Sequence, residues 1–315
     1  MSGLTRASRG GIARPALLPR SRRGFTLAEL LVGLAILGII GSAVARLMLD
    51  QQRFFFRTNE QLGVRRELRS AASLLPADLR SISSVGGDLL SFSSTQVTFR
   101  MTYGSAVVCA TPDSLTLDLP PKNAVRANLT GWVTAPLIGD TVFVFSTTAG
   151  GAESWTAHRL TAVTTSTGLC AGSAFIDNSL DGGKDRWRLS VTPGLPSLVA
   201  PGSVVRFTRP TRYALTLQAS GRWYLERAEL QQDAWTAANV VAGPFTAGDT
   251  LGMGGIGFTM FDSTGAAIAT TGNTRAVSRI DIMLRGAGAR ASGAVAGTSS
   301  SNDSLRLRIA LRNRQ

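Results

Sequence analysis

The chain has 315 residues, 44% of them hydrophobic, with 34 Gly and 12 Pro spread along it rather than set in repeats; that composition excludes a disordered tail protein and fits one large or two small ordered domains rich in turns. The net charge is +13, but six arginines (Arg6, Arg9, Arg14, Arg20, Arg22 and Arg23) stand before Phe25 with no acid among them and leave +7 for the rest. The basic surplus thus belongs first to the N-terminus and argues against a nucleic-acid-binding body.

Phe25 to Ala45 is an apolar stretch whose only charge is Glu29. At about 1.5 Å per residue it reaches roughly 31 Å as a helix, close to the hydrocarbon thickness of a bilayer and longer than the apolar core of a secretory signal. The arginines before it stay cytoplasmic, which puts everything after Arg46 on the far side of a single span. An uncleaved signal anchor satisfies the same facts but gives no reason for Glu29. A carboxylate near the end of a membrane helix is costly unless neutralised or paired, so its retention implies use.

The run Arg22-Arg23-Gly24-Phe25-Thr26-Leu27-Ala28-Glu29-Leu30-Leu31-Val32 resembles the class III signal of type IV pilins and type II secretion pseudopilins. The resemblance implies that a prepilin peptidase removes residues 1–24 by cutting between Gly24 and Phe25, that the same enzyme methylates the new amino group of Phe25, and that Glu29 is the family's acidic assembly residue. A free ammonium on Phe25 and the Glu29 carboxylate are both costly in lipid, so neighbouring subunits shifted along a fibre axis can pair one with the other. Gly33, Gly38, Gly41, Ser42 and Ala43 either let helices approach closely or are simply tolerated in lipid. The leader is longer than in major pilins, and no Pro stands between Phe25 and Leu75, where many of them carry a kinking proline. Both departures favour a minor, priming subunit.

Beyond Arg46, Leu47, Phe54, Phe55, Leu62, Leu68, Ala72, Leu75 and Leu79 recur at helical spacing among polar residues, an amphipathic continuation of the same helix. Helical from Phe25 to Arg80, it would extend roughly 84 Å. Pro76 begins a final turn or kinks the helix, and Gly86-Gly87 is expected to end the helical region. Arg53, Arg57, Arg65, Arg66 and Arg69 read as a solvated face.

From residue 88 the period changes to that of strands. Gln96–Met101, Ser114–Leu119, Asp140–Phe145, Ser203–Phe207, Arg212–Leu217, Arg222–Arg227 after an Ala219-Ser220-Gly221 turn, Ile256–Phe261, Arg279–Leu284 and Leu305–Arg312 predict an antiparallel β domain. The expected fold is α+β: a long helix over 25–80, transmembrane over 25–45, its amphipathic half packed on a β-rich extracytoplasmic domain over 81–315. The order of the last hundred or so residues, from Tyr213–Leu217 through Val240–Phe245 to Leu311-Arg312-Asn313-Arg314, resembles minor pseudopilins of the J, or PilW-like, type. Residues 100–200 carry no such resemblance. In the last strand Arg306, Arg308, Arg312 and Arg314 alternate with apolar residues and read as a solvated strand face rather than a DNA patch.

Other motifs carry little chemistry. Cys109 and Cys170 are candidates for one disulfide, the alternative being two buried thiols. His158 stands alone, with no serine, lysine or cysteine arrangement to make it catalytic. Asp177 to Asp185 puts carboxylates in a glycine turn but lacks the closing Glu of an EF-hand loop, so a turn is preferred to a calcium site. Gly252, Gly254, Gly255 and Gly257 have the composition of a phosphate loop without its Lys-Ser/Thr or its helix. No enzyme activity, metal or cofactor is expected. The partners implied by the resemblance are prepilin peptidase/methyltransferase, other minor and major pilins or pseudopilins, and the inner membrane. The alternative function is a DNA-uptake or adhesive minor pilin that binds ligand through its basic globular domain.

Overall fold

A single helix, α1, runs from Leu27 to Leu79 in a computed structural model that describes residues 24–125, 130–147, 150–247, 254–288 and 302–312. The chain divides into two compact units, residues 1–56 and 57–315, with the division inside α1. In the first unit every described residue is exposed, including Leu31, Leu37, Ile39 and Ile40. In the second, Val64, Leu68, Ala71, Leu75 and Leu79 are buried at intervals of three and four, one face of a helix. Leu47, Phe54, Phe55 and Leu62, which share the apolar periodicity, are exposed. Pro76 is accommodated in the last turn, where α1 stops three residues later. The helix therefore ends well before Gly86-Gly87; Gly87, with φ +79°, serves instead the turn into the first strand.

Strands β1 (Leu89–Phe92), β2 (Gln96–Val107), β3 (Ala110–Asp113), β4 (Thr116–Leu119), β5 (Gly131–Trp132), β6 (Thr141–Thr147) and β7 (Glu153–Ser166) come next. A short helix, α2 (Asn178–Asp181), separates them from β8 (Arg186–Thr192), β9 (Val204–Leu217), β10 (Trp223–Gln231), β11 (Ala234–Trp235), β12 (Asn239–Phe245), β13 (Ile256–Phe261), β14 (Ala267–Ile268), β15 (Arg279–Ala287) and β16 (Asn302–Ala310). Among the described residues all pairings are antiparallel, and the main path runs β14-β13-β15-β12-β10-β9-β6-β7-β8-β4-β3. The α+β architecture expected from the sequence is thus what the chain adopts.

Two cores share this sheet. The buried face of α1 packs with Phe99, Tyr213, Leu225, Ile256, Ile282, Leu284 and their neighbours. A second core, around Leu117, Leu119, Val142, Leu160, Leu189 and Phe207, is built by the excursion between the middle of β2 and the middle of β9. That excursion is the stretch of residues 100–200 that the family resemblance leaves uncovered. Strands β2 and β9 run through both cores, paired from Gln96↔Ala214 to Val107↔Val204 with a shift between Thr102 and Gly104. Gly104 is needed there because a side chain would meet Trp132 Cβ at 2.7 Å.

Ser203–Phe207 and Arg212–Leu217, expected as separate strands, are one strand because the intervening Pro210 is tolerated. Strand β9 pairs with β6 as far as Thr208 and with β10 from Thr211 onward, so the residue lacking an N–H sits where that edge changes partners. The long strands β7 and β8 and the short β1, β3, β5, β11 and β14 are not indicated by the sequence; β7 is rich in Thr, Ser and Ala, and its outward positions carry little apolar signal.

Candidate functional site

The helix start at Thr26–Glu29 is the first candidate site. Thr26 precedes α1, and its Oγ1 accepts a hydrogen bond from the Glu29 N–H at 3.2 Å. In return Glu29 Oε2 accepts from the Thr26 N–H at 3.0 Å and from Thr26 Oγ1 at 3.1 Å. This is a reciprocal capping box, which gives otherwise orphaned N–H groups of the first turn their partners. Beyond its charge, Glu29 thus has a local role, and the Thr-x-x-Glu spacing is its signal in the sequence. The Thr26 N–H belongs to the peptide bond with Phe25, so a cut before Phe25 leaves the box intact.

Gly24 has no atom within 4 Å of where a side chain would begin, and its φ is not positive. Nothing in this chain's own fold calls for glycine at that position. Phe25 is 83% exposed. Gly33, Gly38 and Gly41 are equally open, with no atom within 4 Å of a virtual Cβ. The exposed apolar half of α1 is the one helix among the described residues long and apolar enough to cross a membrane.

The second half of α1 is fixed to the sheet by polar contacts as well as by its apolar face. Tyr213 Oη donates to Asp78 Oδ2 at 2.6 Å, and burial together with the Asp78 charge raises the phenol well above its ordinary value. Arg65 Nε donates to Asp303 at 2.9 Å, and the Gly243 N–H to Glu67 at 3.3 Å. Gly286 in β15 lets the helix approach: a side chain there would begin 2.5 Å from Val64 Cγ1.

The remaining candidates have structural explanations. His158 is buried, with Nδ1 2.7 Å from the Pro193 carbonyl oxygen and Nε2 2.8 Å from Thr156 Oγ1, so both ring nitrogens have partners within the sheet domain. Asp177 caps α2 by accepting from the Ser179 N–H. Asp181 is wholly buried and accepts from the N–H groups of Asp177 and Val125 and from Lys184 Nζ. Burial alone would raise its carboxyl; Lys184 and the N–H donors outweigh that and hold it below the usual carboxylate value. No group of three metal-ligating residues occurs among the described residues. Gly252 lies outside the described residues, while a side chain at Gly255 would begin 2.4 Å from the Thr246 carbonyl oxygen, so that glycine serves close packing against the chain after β12.

Arg279, Arg306 and Arg308 converge on Asp281, at 3.0, 2.8 and 3.5 Å, which accounts for the alternating arginines of β16 as a solvated, paired strand face; Arg314 lies outside the described residues. Cys109 and Cys170 face each other with Cα atoms 5.5 Å apart and pack with Ile176 in a small cluster.

No curated protein and no solved structure matches this chain. Residues 19–45 match the prokaryotic N-terminal methylation motif. Set on the capped, exposed apolar helix start described above, that match supports reading the N-terminal segment as a type IV pilin-like class III signal.

Proposed function

We propose that this protein is a minor pilin or pseudopilin, a non-enzymatic subunit that primes or caps a type IV pilus or a type II secretion pseudopilus. The match over residues 19–45 carries the reading. Prepilin peptidase cuts after Gly24 and methylates Phe25; the helix from Phe25 to Ala45 anchors the chain in the inner membrane, with the β domain outside the cytoplasm. Three features support this. Gly24 has no role in the chain's own folding, so its identity is explained by an enzyme that reads it. The apolar half of α1 is left uncovered, as a helix destined for lipid or for neighbouring helices would be. The Cys109–Cys170 pair suits an oxidising compartment.

Glu29 then has two roles in sequence. It caps its own helix in the isolated chain, and on assembly its charge meets the Phe25 ammonium of a neighbouring subunit. The long leader, the absence of a kinking proline before Leu75 and the large second core favour a minor over a major subunit. The test is Gly24→Val with the cognate peptidase co-expressed. The wild type should shift to the mass lost with residues 1–24 and the variant should persist at full length; equal mobility of the two would sink the proposal.

A further inference from the structure

A trough opens on the face of the sheet that α1 covers elsewhere. Because alternate strand residues share a face, Leu225, Arg227 and Glu229 of β10 lie on the same side, and so do Phe99 and Met101 of β2. Leu225 and Phe99 lie in the core under α1. Past them, Arg227 and Glu229 line two adjoining cavities, of about 70 and about 280 Å³. The smaller has Met101 and Tyr103 in its wall, and the larger is edged by Gln231, Thr236, Asn239 and Val241.

The hydrogen-bonding capacity of the trough is unevenly spent. Glu229 accepts from Arg227 Nη2 at 2.8 Å, from Arg209 Nη1 at 3.3 Å and from Gln231 Nε2 at 3.4 Å, so its carboxylate is well supplied with donors. Arg209 in turn is held by both oxygens of Asp140, each at 2.8 Å, and needs nothing more. Arg227 differs. Its Nε is buried without a partner, and Nη2, besides bonding Glu229, faces only the Met101 thioether at 3.0 Å, a weak acceptor. A guanidinium carries five N–H donors matched to the two oxygens of a carboxylate. Around it, Gln231, Thr236 and Asn239 offer uncharged donors, and Met101 and Val241 offer apolar wall.

We propose that this trough binds a carboxylate carried on a short apolar stem, held by Arg227 and the amides of Gln231 and Asn239. Either a small aliphatic acid or the C-terminus of a polypeptide supplies that chemistry. The inference is independent of processing at Gly24.

The test uses the full chain in neutral detergent micelles and ligand-observed NMR with three probes: acetyl-Ala-Leu with a free carboxylate, its C-terminal amide, and isovalerate. The free acid should bind at least about tenfold more tightly than the amide, the loss expected when a charge-assisted bond is removed. Arg227→Gln should abolish that preference, and Asn239→Ala, at an exposed position, should weaken it while leaving the fold intact. Isovalerate binding as well as the dipeptide assigns the site to small acids; binding of the dipeptide alone assigns it to polypeptide C-termini. Equal affinity for acid and amide, a preference unchanged in Asn239→Ala and Arg227→Gln, or no binding of any probe up to about 10 mM would overturn the proposal. If Arg227→Gln fails to fold, the acid-to-amide ratio of the wild type and the Asn239→Ala result still decide it.

Discussion

Replacing Gly286 by Ala tests the seating of α1 on the sheet through the sign of a stability change. Gly286 is a buried strand residue with no positive φ, so in open space an alanine there would stabilise the fold by about 0.4–1 kcal/mol through the unfolded chain. The structure leaves no such space. The new methyl would begin 2.5 Å from Val64 Cγ1 and 3.3 Å from Leu68 Cγ, where carbon atoms in contact sit roughly 3.5–4 Å apart. Valine has one strongly preferred rotamer in a helix and cannot swing aside, so helix or strand must move. Overpacking of this kind costs about 1–3 kcal/mol. Guanidinium unfolding of the full chain in detergent, followed by tryptophan fluorescence, should show Gly286→Ala destabilised by that amount. Val64→Ala, which removes the obstructing methyls, should also destabilise, by about 1–3 kcal/mol as a buried truncation. The double variant should recover at least about 1 kcal/mol relative to the sum of the two. A stabilised Gly286→Ala, or a double variant additive to within about 0.5 kcal/mol, would refute this packing of Val64 against β15.

Further outcomes follow from three separate parts of the molecule. Glu29→Gln keeps the capping geometry, since glutamine serves the same box, but removes the charge; hydrogen exchange over the first turn should match wild type while incorporation into filaments is lost, and normal incorporation would exclude charge pairing. Thr26→Ala should instead cost about 1 kcal/mol of helix-start stability and raise exchange over that turn. Non-reducing mass analysis should find Cys109 and Cys170 joined, and their double replacement by Ser should cost about 4 kcal/mol in the chain-entropy account of a loop with a separation of 61. The lowered carboxyl of Asp181 contributes stability that is present above its unfolded value and is lost as pH falls through its folded one, so the protection factors of the Asp177 and Val125 amides, corrected for the intrinsic exchange rate, should fall in acid below about pH 4. Asp181→Asn should show that lower protection at neutral pH, and pH-independent protection factors in the wild type would contradict it.

The N-terminal half of the architecture was legible because its signals are local. The apolar run from Phe25 to Ala45, broken only by Glu29, and the helical spacing after it mark one long helix without reference to the rest of the chain. The capping box was equally local, in Thr26 and Glu29, and was obscured by the stronger reading of Glu29 as a membrane charge. The core strands with alternating Val, Ile, Leu and Phe, such as β13 and β15, were found for the same reason. The second core was hard to read because β7 alternates buried His158 and Leu160 with Ala157, Arg159 and Thr161, a weak apolar contrast. The continuity of β9 through Pro210 depends on a change of neighbour that only the tertiary structure reveals. So does the trough at Arg227 and Glu229, whose residues lie on four strands and the loops beside them and share no sequence motif.

The central claim is that residues 1–24 are removed and Phe25 becomes a methylated N-terminus. Intact-mass and N-terminal peptide analysis of the protein isolated from membranes of its native host tests it most directly. The account predicts a chain that begins at N-methyl-phenylalanine 25; a chain that retains Met1, or that begins after the apolar helix, would contradict it.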